Sequence, residues 1–224
     1  MTVQETLDKA LSLLLGEPVA VTGAGRTDAG VHASQMFAHF DVSKPIEDDN
    51  LIYRLNSFLP IDIAIKAIFR VTDEAHARFD ATARTYFYRV SLTKDVFLDD
   101  LSYTILQPLN VEAMNRASKI LLDYKDFKSF SKAHTDVKTY NCDIQFAQWQ
   151  QQGEQLIFTI TADRFLRNMV RAIVGTLINI GLGKLEVSDL KHIIDAKDRS
   201  EAGFSVPAKG LFLSEIIYPE TIKL

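Results

Sequence analysis

A glycine-rich segment near the N-terminus carries an arginine and an aspartate that together could form a catalytic loop. Residues 23–33 read G-A-G-R-T-D-A-G-V-H-A, so Arg26 and Asp28 stand among three glycines. Glycine permits positive φ angles and a close approach of the backbone to a ligand. The segment lacks the G-K-[S/T] ending of a phosphate-binding P-loop. On pattern alone, a turn with a solvated arginine and aspartate is the simpler interpretation, and a catalytic carboxylate at Asp28 is the alternative.

A second set of candidates lies in the apolar stretch from Phe165 to Ile180, which predicts a long helix buried on most sides. At about 100° per residue, four polar or small residues of this region fall on one narrow stripe of the helix: Arg164, Asn168, Arg171 and Gly175. Arg167 lies at the edge of that stripe. Arg171 lies deepest in the apolar part, and an unpaired interior charge is strongly unfavourable. We therefore expect Arg171 to face an anion. That anion is Asp28, a substrate phosphate, or an unrelated acid in a structural ion pair.

A third candidate is the sequence R-T-Y-F-Y at 84–88, which predicts a strand. Alternation along a strand places Arg84, Tyr86 and Tyr88 on one face. An arginine beside aromatic rings resembles the surfaces that stack on unpaired nucleotides. An ordinary half-buried strand has the same composition, and on its own this segment favours that simpler interpretation.

Periodicity along the chain predicts the elements that would position these residues. We expect a helix after Thr2, which has capping-box spacing with Glu5, and a second helix beginning at Asp48 to Asn50. Asn110 is expected to cap a third helix, the apolar stretch from Phe165 to Ile180 is the fourth, and a shorter fifth helix follows at 187–194. Strands are expected at 35–42, 61–71, 85–92, 143–150, 156–162 and 211–218.

The mixture of helices and strands, without regular βαβ alternation, indicates an α+β fold with a mainly antiparallel sheet flanked by helices. A similar order of helix and strands occurs twice, which predicts two pseudo-symmetric halves that share a central cleft. We place them at 1–95, with the Asp28 loop, and at 96–224, with the Arg171 helix. The chain contains no low-complexity linker between them.

Composition excludes some classes of protein and leaves nucleic-acid binding open. The net charge is −4, yet arginines cluster locally near 78–89 and 164–171, so a basic cleft is compatible with an acidic chain. No stretch approaches the roughly 20 apolar residues of a membrane span, and no signal peptide is evident at the N-terminus. Cys142 is the single cysteine, which excludes an intrachain disulfide and favours a reducing cytoplasm.

Taken together, the motifs resemble one family in the expected order from Val3 to Pro219. The segment G-R-T-D-A-G-V-H-A at 25–33 is similar to the signature loop of the TruA family of tRNA pseudouridine synthases. The segment A-R-T-Y-F-Y at 83–88 resembles the family's A-R-x-Y-x-Y strand, and F-L-R-N-M-V-R-A-I-V-G-T-L at 165–177 resembles its arginine-bearing helix. Smaller matches are N-S-F-L-P at 56–60, F-K-S-F-S at 127–131 and P-A-K-G-L-F-L at 207–213.

The resemblance implies roles for individual residues. Asp28 falls on the essential aspartate of the superfamily, and Arg171 falls on the arginine that pairs with it. Tyr86 falls on the tyrosine that packs on the target uracil, and Arg26 on the loop arginine that helps hold the extruded nucleotide. Three further arginines belong to the expected substrate-binding surface: Arg84, Arg164 and Arg167.

The resemblance also implies a substrate and an assembly. The expected activity is isomerisation of uridine to pseudouridine at positions 38, 39 and 40 of the tRNA anticodon stem-loop. This reaction needs no cofactor and no metal. The resemblance also implies a homodimer in which one tRNA contacts both subunits. Family members usually begin with a strand and a Y-D-G segment, about thirty residues that we expect to be absent here.

Two other classes compete with this interpretation. One is a tRNA-binding protein whose catalysis is impaired because the first strand is missing. The other is a metal-dependent hydrolase that uses Asp28, His32 and His39. The spacing of these three residues places them on no common helix face, and no further acidic or histidine pair completes a ligand set.

Overall fold

The computed structural model describes residues 2–132 and 137–224, and these form two compact units. The first unit comprises Met1–Arg26, Met36–Ala81 and Tyr218–Leu224, and the second comprises Thr27–Gln35 and Thr82–Ile217. The chain therefore passes between the units four times. This division differs from the two halves expected at 1–95 and 96–224, which stay a prediction about the internal symmetry of the fold.

The first unit is built on two helices and a small sheet. Helix α1 spans Val3–Leu15, strand β1 Thr22–Gly23, strand β3 Ala38–His39 and helix α2 Asp48–Phe58. The cap at the start of α1 is confirmed, because the Thr2 side chain accepts from the Glu5 amide at 3.1 Å. The apolar faces of α1 and α2 enclose a small core around Ala10, Leu11, Leu51 and Leu55.

The second unit is built on a six-stranded sheet. Its strands are β2 (His32–Ala33), β4 (Ala83–Ser91), β5 (Tyr103–Thr104), β6 (Ile144–Gln152), β7 (Gln155–Ala162) and β8 (Leu211–Ile217). The order is β2-β8-β4-β7-β6, with β5 beside the end of β4. The three long pairings, β4 with β7, β4 with β8 and β6 with β7, are antiparallel, whereas β2 joins β8 and β5 joins β4 in parallel.

Three helices flank this sheet: α3 at Val111–Ile120, α4 at Met169–Gly181 and α5 at Asp189–Ala196. Asn110 caps α3 as expected, because its side chain accepts from the Ala113 amide at 2.9 Å. Helix α4 is buried along nearly its whole length in a core shared with the sheet. The α+β class with a mainly antiparallel sheet is therefore confirmed. No helix in the described part of the chain has the length and apolar character needed to cross a bilayer.

Two predicted strands are wrong or too long. Residues 61–71 form no strand, although this segment is rich in β-branched residues and its Ile63, Ile65 and Ile68 pack on the small core. The side chain of Asn56 bonds to both the amide and the carbonyl of Ile65, so a side chain satisfies backbone groups that a neighbouring strand would otherwise pair. At 35–42, only Ala38–His39 is a strand.

Candidate active site

Asp28 stands at the first position of a tight turn that is anchored to the large sheet. The Val31 amide donates to the Asp28 carbonyl at 3.2 Å, and Gly30 has a φ of 80°. This arrangement matches a type II turn, which requires a positive φ at its third residue. Strand β2 follows directly and pairs with β8, so the turn is held at the sheet edge. The positive φ that this turn requires therefore explains the glycine at position 30.

Arg171 lies in the first turn of α4 and reaches Asp28. Its Nη1 atom donates to Asp28 Oδ2 at 2.9 Å, and its Nε atom donates to the Val206 carbonyl at 2.7 Å. The Arg171 side chain is 19% exposed and that of Asp28 is 28% exposed. The anion that the buried arginine needs is thus the loop carboxylate, one of the three partners left open by the sequence. Two hydrogen bonds in fixed directions orient the guanidinium.

The residues that hold Arg171 belong to a segment packed directly on α4. The Val206 amide donates to the Arg171 carbonyl at 3.2 Å, and the Gly203 amide donates to Thr176 Oγ1 at 2.8 Å. An added Cβ at Gly175 would lie 1.8 Å from the Phe204 carbonyl oxygen. Glycine is therefore required at Gly175 because the two backbones touch. We call residues 202–206 the α4-contact segment.

Tyr86 lies on β4 where its register against β8 shifts between Thr85 and Tyr86. Such an irregularity bends a strand and re-aims its side chains. The Tyr86 ring packs edge-on against Phe165, with 5.2 Å between ring centroids. Burial raises the pKa of Tyr86 to about 12, with Arg84 opposing and the Asp28 charge adding to the rise. Tyr86 is therefore a neutral phenol at physiological pH, and it lies close enough to Asp28 for the carboxylate charge to contribute to its raised pKa.

The four other arginines predicted to bind substrate differ from one another in their contacts and in their exposure to solvent. Arg167 Nε lies 3.9 Å from Asp28 Oδ1, but its side chain is 61% exposed, so the attraction is largely screened. Arg84 Nη1 donates to the Asp163 carbonyl at 2.8 Å. Arg164 is partly buried at the end of β7, and Arg26 is exposed in the first unit.

The predicted start of the long helix is wrong, so the stripe of polar side chains expected along it is not helical at its N-terminal end. Helix α4 begins at Met169 rather than Phe165, and Asn168 adopts a left-handed conformation with a φ of 68°. Asparagine tolerates this conformation better than most residues. Arg164 and Arg167 therefore reach their positions from an irregular segment, not from a helix face.

The second unit contains a cavity of about 500 Å³ beside the ion pair, lined by Asp28, Lys132, Asn168, Arg171, Arg199 and Ser205. Lys132, Arg199 and Ser205 were missed by the sequence analysis. Arg199 stands in the charged stretch D-A-K-D-R-S-E at 195–201, which is typical of a solvated surface. The one sequence signal for a role of Arg199 in the site is that it lies shortly before the P-A-K-G-L-F-L segment at 207–213, which resembles a family motif.

The two histidines of the metal hypothesis have other contacts. The His32 ring stacks on Phe212 with 4.6 Å between centroids, and His39 Nδ1 accepts from the Ala77 amide at 3.0 Å. Within residues 2–132 and 137–224, no cluster of three or more His, Cys, Asp or Glu side chains is arranged to hold a metal ion.

Known proteins share this sequence over almost its whole length. A family model described as tRNA pseudouridine synthase matches residues 117–219. A protein named tRNA pseudouridine synthase A from Parabacteroides distasonis is 56% identical over 225 residues, covering 99% of this chain and 88% of its own. Proteins of the same name from Porphyromonas gingivalis and Bacteroides fragilis are each 51% identical, covering 100% and 99% of this chain and 90% and 89% of their own. The chain belongs to the TruA family of tRNA pseudouridine synthases.

Proposed function

We propose that this protein converts uridine to pseudouridine at positions 38, 39 and 40 in the anticodon stem-loop of tRNA, with Asp28 as the catalytic carboxylate. The observation that carries the proposal is the Arg171–Asp28 ion pair at the edge of a cavity with a basic lining. A carboxylate held in one orientation by a guanidinium is suited to act on a sugar or base. The names of the relatives support the reaction, and the matching loop, strand and helix motifs support the residues.

The reaction is an isomerisation, so the residues must break and remake one bond without a redox change. The N1–C1′ bond of uridine breaks, the uracil turns, and a C5–C1′ bond forms. C5 then loses its hydrogen and N1 gains one, so atoms balance. Asp28 acts either as a nucleophile or as the base that assists formation of a glycal, and both roles require its ionised form.

The uridine must leave the helical stack before Asp28 can reach it, at a cost of a few kcal/mol. In our proposal Arg26 fills or braces the vacated stack, and Tyr86 covers the detached uracil. The neutral phenol of Tyr86 is suited to packing against a base because it brings no charge next to Asp28. Arg84, Arg164 and Arg167 are proposed to contact the RNA backbone, since arginine pairs with phosphate.

We further propose that the protein acts in the cytoplasm as a homodimer in which one tRNA contacts both subunits. The support is the likeness to TruA proteins. Light scattering at micromolar concentration, with and without tRNA, tests the assembly. A stable dimer is expected to bury upwards of roughly 1,000 Å².

The decisive experiment is tritium release from tRNA labelled at C5 of uridine, followed by mapping of pseudouridine along the product. Release with pseudouridine at positions 38, 39 or 40 is expected. Pseudouridine found only at other positions of the tRNA would contradict the proposed positions 38, 39 and 40. Tight binding of tRNA without release would favour the alternative, a tRNA-binding protein without catalysis.

A further inference from the structure

Arg199, which lines the cavity, binds the α4-contact segment through three hydrogen bonds. Its Nη1 atom donates to the Ala202 carbonyl at 3.3 Å and to the Gly203 carbonyl at 3.1 Å, and its Nη2 atom donates to Ser205 Oγ at 2.9 Å. Residues 203–207 belong to no helix or strand, so regular secondary structure does not satisfy their backbone groups. A planar guanidinium presents several donors in fixed directions. One half-buried side chain therefore ties down three points of this segment.

The same segment contacts the Arg171–Asp28 ion pair one residue further along. Val206 follows Ser205 directly, and its carbonyl accepts from Arg171 Nε at 2.7 Å while its amide donates to the Arg171 carbonyl at 3.2 Å. Nη1 of the same guanidinium donates to Asp28 Oδ2 at 2.9 Å. Because a guanidinium is rigid and planar, the direction of its Nε–H bond also sets the directions of its other N–H bonds. The position of the Val206 carbonyl therefore affects the contact with Asp28.

A second connection joins Arg199 to the start of α4. Asn168 Nδ2 donates to Ser205 Oγ at 2.6 Å, so this hydroxyl oxygen accepts from both Arg199 and Asn168. A hydroxyl oxygen has two lone pairs, which is enough for both bonds. Asn168 directly precedes Met169, the first residue of α4. Arg199 and Asn168 thus hold Ser205 from two sides, directly beside Val206.

Hydrogen bonds rather than interlocking side chains determine where the segment lies along α4. An added Cβ at Gly175 would lie 1.8 Å from the Phe204 carbonyl oxygen, and one at Gly203 would lie 2.7 Å from the Thr176 amide nitrogen. Glycine at both contacts leaves no side chain to fit between those of the other element. The bonds from Arg199 are therefore among the contacts that fix the position of this segment.

We infer that Arg199 is a positioning residue for the Arg171–Asp28 ion pair. It acts through the α4-contact segment, because fixing Ser205 also fixes the neighbouring Val206 carbonyl that orients Arg171. This inference rests on the proposed function for the reaction that the ion pair serves. A direct contact between Arg199 and RNA is the competing role, and the experiments below distinguish the two.

The first test compares turnover with binding. Arg199→Met keeps much of the length of the side chain and removes its donors. We expect kcat for tritium release to fall roughly tenfold or more, while the Kd for tRNA changes by about threefold at most. Arg199→Lys should recover little of the lost kcat, since one ammonium group does not reach three oxygens in the directions that the guanidinium uses. Arg116→Met is the matched control: it removes an exposed arginine of α3 and should leave kcat and Kd at the parental values.

A double variant shows whether Arg199 acts through Arg171. Arg171→Lys removes the Nε–H donor that binds the Val206 carbonyl. In that background, Arg199→Met should lower kcat by about twofold at most, because the contact through which it acts is already absent. General destabilisation of the fold would instead give equal losses in both backgrounds.

Arginine side-chain NMR tests the same linkage without turnover. The Nε–H group of Arg171 is bonded to the Val206 carbonyl and is thereby protected from exchange with water, and its signal is identified by its loss in Arg171→Lys. We expect Arg199→Met to raise the exchange rate of this hydrogen roughly tenfold, and Arg116→Met to leave it unchanged. Backbone amides of β7, which pairs with β4 and β6, should keep their exchange rates, which separates local loosening from global unfolding.

Ser205→Ala provides a second variant, since it removes the oxygen that Arg199 and Asn168 share. It should also raise the exchange rate at Arg171 and lower kcat. If Arg199→Met does not fold, Ser205→Ala and Arg199→Lys take its place in every comparison.

The positioning role is overturned if Arg199→Met keeps the parental kcat or the parental exchange rate at Arg171, or if its losses in kcat are equal in both backgrounds. A raised Kd with parental kcat and exchange would make Arg199 an RNA contact instead. The proposed function fails separately. Absence of tritium release from the parent protein would remove the reaction, whereas the exchange rates would still decide whether Arg199 holds Arg171 in place.

Discussion

Arg171 Nη1 lies 2.9 Å from Asp28 Oδ2, although the two residues are 143 positions apart in the chain. The same guanidinium also donates to the Val206 carbonyl, so one side chain joins the Asp28 loop, α4 and the α4-contact segment. A group bonded in two directions cannot rotate freely. The orientation of the Asp28 carboxylate therefore depends on residues far from it in sequence.

Asp28→Asn should lower pseudouridine formation by roughly 10³-fold or more while tRNA binding stays nearly intact. Asparagine keeps the shape of the side chain but is neither a nucleophile nor a base. Phosphate contacts and stacking supply most of the affinity, so binding survives. Tritium release and filter binding at fixed salt measure the two effects. Turnover above a small fraction of the parent rate would show that another residue carries the chemistry.

Arg26→Ala should weaken both tRNA binding and turnover. The proposed role of Arg26 is to support the flipped nucleotide rather than to react with it. We expect a higher Kd for tRNA and a lower kcat in the same assays. Arg54→Ala is the control, since Arg54 is another exposed arginine of the first unit. An Arg26→Ala protein with parental affinity and rate would exclude Arg26 from substrate handling.

Arg171→Lys should lower kcat about a hundredfold, equivalent to roughly 2.7 kcal/mol in the barrier, with tRNA affinity changed less than threefold. Lysine keeps the charge, but a single nitrogen cannot satisfy Asp28 and the Val206 carbonyl in the directions that the planar guanidinium uses. Arg116→Lys is the matched control, since Arg116 pairs with Glu112 on the exposed face of α3. A rate above one third of the parent would mean that charge alone suffices.

Gly175→Ala should destabilise the fold by about 2 kcal/mol and lower Tm by roughly 4–8 °C. The added methyl group would lie 1.8 Å from the Phe204 carbonyl oxygen, so the α4-contact segment has to move. Because Val206 orients Arg171, kcat should fall as well. Gly25→Ala is the stability control, since an added methyl group there meets open space. Equal Tm values for the two variants would contradict the close contact.

Tyr86→Phe tests the environment of the phenol through the pH dependence of stability. The folded protein holds the pKa of Tyr86 at about 12, above the ordinary value of 10.0. A raised pKa contributes stability below pH 10 that is lost as pH rises toward 12. The stability difference between parent and Tyr86→Phe should therefore fall by about 1 kcal/mol between pH 9 and pH 11. Urea unfolding at both pH values measures the difference.

The control for this pH test is Tyr53→Phe, because the Tyr53 side chain is 75% exposed. An exposed side chain has nearly the same surroundings in the folded and the unfolded chain, so the Tyr53→Phe stability difference, measured by urea unfolding at the same two pH values, is the reference for Tyr86→Phe. A Tyr86→Phe protein that behaves like Tyr53→Phe would place the Tyr86 hydroxyl in water.

Much of the local structure was determined by the sequence itself. Caps at Thr2 and Asn110 depend on residues within three positions. The long strands are rich in β-branched and aromatic residues, so local composition predicted them. The apolar stretch around Arg171 also indicated that this arginine needs an anion. Loop, strand and helix motifs in order then identified the family, because several separate matches are far more specific than one.

Only the tertiary structure decided which anion Arg171 meets and which residues complete the cavity. Asp28 was one of several candidate partners, since charge requirements do not name a contact across 143 positions. The start of α4 at Met169 also escaped prediction, because a left-handed Asn168 bonded to Ser205 overrides the helical pattern before it. Arg199 resembled a solvated charge until packing placed it beside the ion pair. Long-range packing sets such contacts, and no local period in the chain encodes them.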